Sequence, residues 1–218
     1  MRPTRAYIYT DHFQHNLRTV RQRVGPKPLI MAVVKANAYG HGLEIITKAS
    51  LESGEVGYFG VATEEEGVQL RKLTSLPIVV LTSALEDEVD TFIQHELEFT
   101  LSEHHLLSVI EHRARAMQKK AKVHLKIDTG MRRIGVEPDE AVLFARAITE
   151  RSEWIEFAGI STHFATSDEA DQSFLAKQVS IFTDLARSIR NEVVHVPLVH
   201  AANSGAILQY ASQGFAGA

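Results

Sequence analysis

The sequence predicts an α/β fold in which parallel strands alternate with helices, and three observations support this prediction. Short apolar segments alternate with amphipathic ones along most of the chain. Residues 29–34 (LIMAVV) are apolar throughout, as expected of a strand buried on both faces of a parallel sheet. Polar residues follow the ends of several different predicted strands. This placement favours a (β/α)8 TIM-type barrel over a doubly wound open sheet, in which ligand-binding residues gather at one switch point.

The elements follow from periodicity and from turn residues. Seven strands are predicted, at residues 29–34, 58–62, 78–81, 98–101, 122–127, 155–161 and 196–200. Helices are predicted at residues 11–24, 43–54, 64–73, 86–95, 103–119, 139–150, 168–191 and 204–211. A further short strand is predicted at residues 6–10, with Asp11 as the N-cap of the first helix.

The length of the chain is short for a complete barrel, which takes roughly 250 residues. With 218 residues and seven predicted strands, we expect a single domain over residues 1–218 that is truncated before the eighth strand. Residues 213–218 predict no element. We therefore expect an open seam, with unpaired backbone along the first and seventh strands.

Composition excludes several classes of protein. A formal charge of -4 gives no reason to expect nucleic acid or an anionic membrane as a partner. Cysteine is absent, so neither disulfides nor thiolate metal sites can form, and no metal-ligand motif is present. No apolar run approaches the roughly 20 residues of a membrane span, and the first residues contain no apolar leader segment. We expect a soluble cytoplasmic protein without a metal.

Lys35 stands at the carboxyl end of the first buried strand, in the segment AVVKANAYGHG. Burial of an ammonium group costs several kcal/mol unless the group is paired, neutral or covalently bound. A neutral lysine amine at a strand end is suited to Schiff-base chemistry. On the strand pattern alone, a solvated first residue of a loop is the more common interpretation of such a lysine.

Three further segments carry polar residues at strand ends. KIDTGMRRIG contains Lys126 and Arg133 around a glycine turn, and a solvated loop with local ion pairs is the alternative interpretation. His163 follows a strand in STHFATSDEAD. In HAANSG, Asn203 and Ser204 open a helix, where N–H groups and a hydroxyl can bind phosphate or simply cap the helix.

All four segments resemble motifs of the alanine racemase family, in the family's order, and the resemblance extends from TRAYI to ANSGAIL. It implies that Lys35 covalently holds pyridoxal 5'-phosphate (PLP) and that Tyr39 bonds the cofactor phosphate. By the same resemblance, Arg133 bonds the cofactor phenolate oxygen and the substrate carboxylate. Lys126 matches a lysine that is often carbamylated and that steadies this arginine.

The resemblance also assigns His163 to the pyridine ring and places Asn203 and Ser204 at the phosphate. It implies a cytoplasmic homodimer that interconverts L-alanine and D-alanine and so supplies D-alanine for peptidoglycan. The resemblance implies that Lys35 exchanges a proton on one face of the substrate. In the family, the base on the opposite face is a tyrosine from the C-terminal β-domain of the other subunit. Since that domain is absent from these 218 residues, we expect the fragment alone to be inactive.

Two other classes of function are open on the sequence. A stand-alone single-barrel PLP-binding protein, which carries the cofactor without racemising an amino acid, has a similar length. Its lysine motif reads differently from KANAYGHG. A purely structural domain would leave the four polar segments unexplained.

Overall fold

The structure is a computed structural model that describes residues 4–193 and 196–210. Its centre is a seven-stranded sheet over the described residues, in the order of the chain, with every neighbouring pair parallel. The strands are β1 (Ile30–Val33), β2 (Val56–Val61), β3 (Ile78–Ser83), β4 (Glu98–Leu101), β5 (Ala121–Lys126), β6 (Ile155–Ser161) and β7 (Leu198–His200). Because all strands run in the same direction, their carboxyl ends lie along the same edge of the sheet.

Helices connect the strands, as parallel pairing requires. They are α1 (Thr10–Val24), α2 (Lys35–Tyr39), α3 (Leu43–Ser53), α4 (Glu64–Arg71), α5 (Val89–Gln94), α6 (Leu106–Met117), α7 (Ala141–Thr149), α8 (Ser173–Glu192) and α9 (Ser204–Tyr210). Their apolar sides and the strands bury one main core that includes Phe59, Phe92, Phe99, Phe144 and Phe182. No helix in the described part of the chain is long and apolar enough to cross a membrane.

The first and last of these helices are joined. Arg23 on α1 donates a hydrogen bond from Nη1 to the carbonyl oxygen of Leu208 on α9, at 2.5 Å. The sheet is therefore curled as in an α/β barrel. Among the described residues, β1 and β7 each pair with only one other strand, as predicted for an open seam.

Most predicted elements are confirmed, with β4 and β6 matching to the residue, but the start of the chain was predicted wrongly. Residues 6–9 form no strand, and α1 begins at Thr10 with Tyr9, not Asp11, at its N-cap position. The side chains of Tyr7 and Tyr9 are 71% and 60% exposed, so this β-prone segment has no buried face to stabilise a strand.

Other differences are at element ends. Val33 on β1 is 36% exposed, so β1 is not buried on both faces, because it is an edge strand. The predicted helix 86–95 begins as a 3-10 turn at Glu86–Glu88. The predicted helix 168–191 begins only at Ser173, whose N–H donates to the Asp171 carboxylate. The predictions for residues 211 and 213–218 lie outside the described residues.

Candidate active site

The residues after Lys35 form a left-handed turn. The φ angles of Ala36, Asn37, Ala38 and Tyr39 all lie between 51° and 54°, and Gly40 follows with φ 84°. Left-handed backbone costs an L-residue roughly 1–2 kcal/mol. Surrounding contacts must therefore hold the turn, which directly follows Lys35 at the carboxyl end of β1.

Glu66 on α4 supplies such contacts. Its Oε1 accepts a hydrogen bond from the N–H of Ala36 at 2.6 Å, and its Oε2 accepts one from the N–H of Ala62 at 2.8 Å. On the other side of the turn, Oδ1 of Asn37 accepts from the N–H of Leu43 at 2.7 Å. The carboxylate therefore ties the residue after Lys35 to the end of β2.

Three predicted site residues meet in one place. Lys126 at the end of β5, Arg133 in the loop beyond it and His163 beyond the end of β6 line the same small cavity. Lys35 also lies close enough for its charge to lower the pKa of His163. The structure thus gathers residues from three strand ends and one following loop, as the barrel prediction required.

The loop that carries Arg133 is held by Asp128. Oδ1 of Asp128 accepts hydrogen bonds from the N–H groups of Gly130 at 2.8 Å and Arg132 at 3.1 Å. Gly135 has φ 128°, and a Cβ there would lie 2.6 Å from the backbone nitrogen of Asp128. Only glycine fits this close approach, so the glycine of the motif fixes the loop.

The cavity perturbs two titratable groups. Burial, followed by the charge of Arg133, lowers the pKa of Lys126 from 10.5 to about 8, although Asp128 opposes the shift. Burial and the charges of Lys126, Arg133 and Lys35 lower the pKa of His163 from 6.5 to about 4. At neutral pH, His163 is therefore an uncharged imidazole, and a fraction of Lys126 is a neutral amine.

Two of the cations have no counter-ion here. Lys35 and Arg133 form no ion pair with a carboxylate in residues 4–193 and 196–210, whereas Arg132 pairs with Glu137 at 2.5 Å. Arg133 is exposed and Lys35 is half-buried. Both side chains are available to an anionic or carbonyl ligand.

Asn203 and Ser204 have different roles at the start of α9. Oδ1 of Asn203 accepts from the N–H of Ala206 at 3.1 Å and from the hydroxyl of Ser167 at 2.6 Å, while Nδ2 donates to the carbonyl of Phe164 at 3.1 Å. Asn203 is therefore the helix cap. Ser204 is exposed, and in the described part of the chain its hydroxyl has no hydrogen-bond partner.

Tyr39 and Ser204 do not line the cavity of Lys126, Arg133 and His163. Tyr39 is 60% exposed and lines a separate cleft of about 460 Å³ together with Tyr7 and Tyr9. Their predicted contact with a phosphate remains a prediction.

Glu66, which holds the turn after Lys35, was not predicted from the sequence. Its only signal was the TEEE segment, which predicts a capping box and indeed forms one between Thr63 and Glu66. A polar group on the sheet, formed by Glu98, His124 and His200, was not predicted either. No local pattern marks it, because its members lie on different strands.

A curled parallel sheet with lysine, arginine and histidine at the carboxyl ends of its strands defines a ligand-binding α/β protein of the barrel type. Residues 8–216 match the family model described as "Alanine racemase, N-terminal domain". The chain belongs to the alanine racemase family.

Relatives and solved structures support the same family assignment. An alanine racemase of Treponema denticola is 39% identical over 99% of this chain and 57% of its own length. Alanine racemase 2 of Caldanaerobacter subterraneus subsp. tengcongensis is 40% identical over 97% of this chain and 55% of its own length. The crystal structure of alanine racemase from D-cycloserine-producing Streptomyces lavendulae has a TM-score of 0.89 and 30% identity, covering 97% of this chain and 56% of that one. The chain therefore spans little more than half the length of these relatives.

Proposed function

We propose that this chain is the cofactor-binding part of a PLP-dependent racemase that interconverts L-alanine and D-alanine. The observation that carries the proposal is the position of Lys35, a half-buried lysine at the carboxyl end of β1 beside His163, without an ion pair among the described residues. The relatives named alanine racemase support the choice of reaction and substrate.

The residues present fit the proposed cofactor. PLP carries a phosphate, a phenolate oxygen and a carbonyl group. Lys35 offers an amine for the carbonyl, and Arg133 offers an exposed guanidinium for an anionic oxygen. The free hydroxyl of Ser204, next to the helix cap Asn203, suits phosphate. When bound, PLP supplies an electron sink for a carbanion at the substrate Cα.

Each residue of the chain has a defined task in this proposal. Lys35 holds the cofactor covalently and moves a proton at the substrate Cα on one face. Arg133 binds the substrate carboxylate and the phenolate oxygen. His163 stays neutral beside the ring, and Tyr39 bonds the phosphate with Asn203 and Ser204.

Lys126 is the proposed site of carbamylation. Only a neutral amine attacks carbon dioxide: the nitrogen lone pair forms an N–C bond, one C=O π pair moves to oxygen, and a proton leaves the nitrogen. A pKa near 8 makes this form accessible at neutral pH. The resulting carbamate would replace the repulsion between Lys126 and Arg133 by attraction, and so orient the guanidinium.

The test is NMR of the chain in 13C-bicarbonate, in which a carbamate signal should appear and should vanish in Lys126→Met.

Inversion at Cα also needs a proton on the opposite face. By family resemblance we assign this proton to a tyrosine of the partner subunit in a cytoplasmic homodimer, with D-alanine supplied to peptidoglycan.

The deciding experiment is PLP titration followed by borohydride reduction and peptide mass mapping. The pyridoxyl group should be found on Lys35 and should be lost in Lys35→Ala, whereas Lys48→Ala, which removes an exposed lysine of α3, should leave the labelling unchanged. Labelling spread over surface lysines would contradict the proposal.

A second measurement separates a racemase from a protein that only carries PLP. The loaded chain is incubated with alanine in D2O. Exchange of the Cα hydrogen supports a racemase, and its absence despite specific labelling of Lys35 supports a carrier.

A further inference from the structure

Two loops at the carboxyl ends of the strands carry candidate site residues, and one side chain of α8 contacts both. The β5 loop, residues 127–135, contains Arg133, and the β6 loop, residues 162–167, contains His163. Gln178 on α8 is fully buried and forms hydrogen bonds with each loop. Gln178 does not line the cavity itself, so any effect on the site must pass through the loops.

The amide of Gln178 has one orientation that satisfies its partners. Nε2 donates to Oγ1 of Thr129 at 3.1 Å and to the carbonyl oxygen of His163 at 3.0 Å. Oε1 accepts from the N–H of Ala165 at 2.9 Å. A flipped amide would place its oxygen against the carbonyl and its NH2 group against the N–H, so two hydrogen bonds would be lost. The backbone of the β6 loop therefore fixes the amide.

Two threonine hydroxyls extend these hydrogen bonds to the end of β5. Oγ1 of Thr129 lies 2.8 Å from Oγ1 of Thr162, and Oγ1 of Thr162 donates to the carbonyl oxygen of Ile127 at 2.8 Å. A hydroxyl has a single proton to donate. Because Thr162 uses its proton at the carbonyl, Thr129 must donate to Thr162, and it accepts from Gln178. The chain of hydrogen bonds thus ends at the residue that follows Lys126.

This chain of hydrogen bonds lies away from solvent. Gln178 is 0% exposed, and Thr129 and Thr162 are each 5% exposed. A group that lost its partner here would gain no water in exchange, so the loss would carry the full cost of an unpaired buried group. Buried polar networks whose members are all paired hold one arrangement rigidly. The two loops are therefore fixed relative to each other.

Apolar contacts of α8 support the same arrangement. A Cβ at Gly130 would lie 2.8 Å from Cζ of Phe174, so this ring packs directly on the β5 loop. Leu175 packs with Phe164 of the β6 loop in a small apolar cluster. Phe174 precedes Gln178 by one helical turn and shares its face. Helix α8 therefore contacts each loop both by packing and by hydrogen bonds.

We propose that Gln178 is a positioning residue that fixes the loop of Arg133 and the loop of His163 relative to each other. Through its hydrogen bonds it holds the imidazole of His163 in the cavity with Lys126 and Arg133. The consequence of this arrangement for PLP rests on the proposed function, whereas the joining of the two loops does not.

The pKa of His163 reports the position of its loop. Burial and the charges of Lys126, Arg133 and Lys35 lower it from 6.5 to about 4. A β6 loop that moves outward exposes the imidazole to water and increases its distance from these cations, and both changes raise the pKa. A loss of stability elsewhere on α8 leaves these surroundings unchanged.

The test is NMR titration of the His163 imidazole in the full chain without cofactor. Gln178→Leu removes all three hydrogen bonds at similar side-chain volume, so the midpoint should rise from about 4 by roughly one pH unit or more, a tenfold change in proton affinity. Phe182→Leu, one turn further along α8, removes packing from the main core and should leave the midpoint at its wild-type value. An unchanged midpoint in a folded Gln178→Leu chain, or a wild-type midpoint near 6.5, would overturn the proposal.

A second pair of variants decides if Gln178→Leu does not fold. Thr129→Val keeps the shape of the side chain but removes the hydroxyl between Gln178 and Thr162, whereas Thr129→Ser keeps that hydroxyl. The midpoint of His163 should rise in Thr129→Val and stay at its wild-type value in Thr129→Ser. Equal midpoints in these two variants would contradict the proposal. Because no PLP is added, a failure of Lys35 labelling would count against the proposed function alone.

Discussion

The carboxylate of Glu66 accepts a hydrogen bond of 2.6 Å from the backbone N–H of Ala36, the residue that follows Lys35. This contact links α4 to the left-handed turn that presents the candidate cofactor lysine. Loss of the Glu66 carboxylate should therefore destabilise this turn, although Glu66 does not line the cavity.

Glu66→Gln should loosen the turn. The amide has one oxygen and one NH2 group, so it cannot accept from both Ala36 and Ala62, and one backbone N–H loses its partner. We expect a loss of roughly 1–3 kcal/mol in the free energy of unfolding, and slower labelling of Lys35 by PLP. Chemical denaturation and borohydride trapping measure the two effects. Glu64→Gln, in the same helical turn, is the matched control. Equal effects of both variants would show that the loss of a negative charge, and not the loss of the Glu66 hydrogen bonds, causes them.

Ala36→Gly should stabilise the chain or leave its stability unchanged. Relief of left-handed strain is worth roughly 1–2 kcal/mol, and the larger entropy of unfolded glycine offsets about half of this gain or more. The control is Ala176→Gly on the exposed side of α8, where glycine should cost about 1 kcal/mol. In thermal denaturation, the changes in stability of the two variants relative to the wild type should have opposite signs or at least differ clearly in size. Equal destabilisation would mean that Ala36 is not left-handed in solution.

Lys126→Met should raise the free energy of unfolding at pH 7. The pKa of Lys126 is about 8 in the folded chain, against the ordinary 10.5, so the unfolded state binds the proton more tightly. This difference destabilises the wild type by about 3 kcal/mol below pH 8. Stability of the wild type should rise with pH between about 8 and 10.5, and the advantage of the variant should shrink over that window.

Denaturant titrations across this pH range, in buffer freed of carbon dioxide, measure the effect. Lys177→Met on the exposed surface of α8 serves as the control. A pH-independent difference between Lys126→Met and the wild type would contradict the lowered pKa.

His163 should remain neutral down to a pH of about 4. Because its pKa is depressed from 6.5, the unfolded chain takes up a proton that the folded chain does not as pH falls from about 6.5 to 4. Because of His163, the free energy of unfolding should therefore decrease as pH falls from about 6.5 to 4. NMR titration of the imidazole gives the pKa directly, and His163→Asn should make the acid decline of stability shallower than His112→Asn does. A midpoint near 6.5 would refute the prediction.

The 218-residue chain by itself should racemise alanine slowly or not at all. No tyrosine lines the cavity of Lys126, Arg133 and His163 in the described part of the chain, so the second face of the substrate lacks its proposed proton donor. Circular dichroism at fixed substrate concentration measures turnover. Racemisation by this chain at the rate of the Treponema denticola relative would disprove the expectation.

The sequence was sufficient for the sheet and for the positions of Lys35, Lys126 and His163, because strand periodicity and the polar residue after each strand are local signals. The left-handed turn was not predictable, since Ala36 and Ala38 favour right-handed helix. The contacts that hold it come from elsewhere: Glu66 accepts from the N–H of Ala36, and Asn37 accepts from the N–H of Leu43. The pair of His124 and His200 was equally hidden, because the two residues lie 76 positions apart. Their contact depends on strand register, which composition does not encode.

The convergence of Lys35, Lys126 and Arg133 also has a kinetic consequence. The chain as a whole carries a formal charge of -4, yet these three cations are concentrated at the carboxyl ends of the strands. Field lines from such a cluster guide phosphates and carboxylates toward the cavity while the remaining surface repels them. Added salt shortens the reach of this field to about 8 Å at physiological ionic strength. Anionic ligands should therefore arrive more slowly as ionic strength rises, even where their final contacts are unchanged.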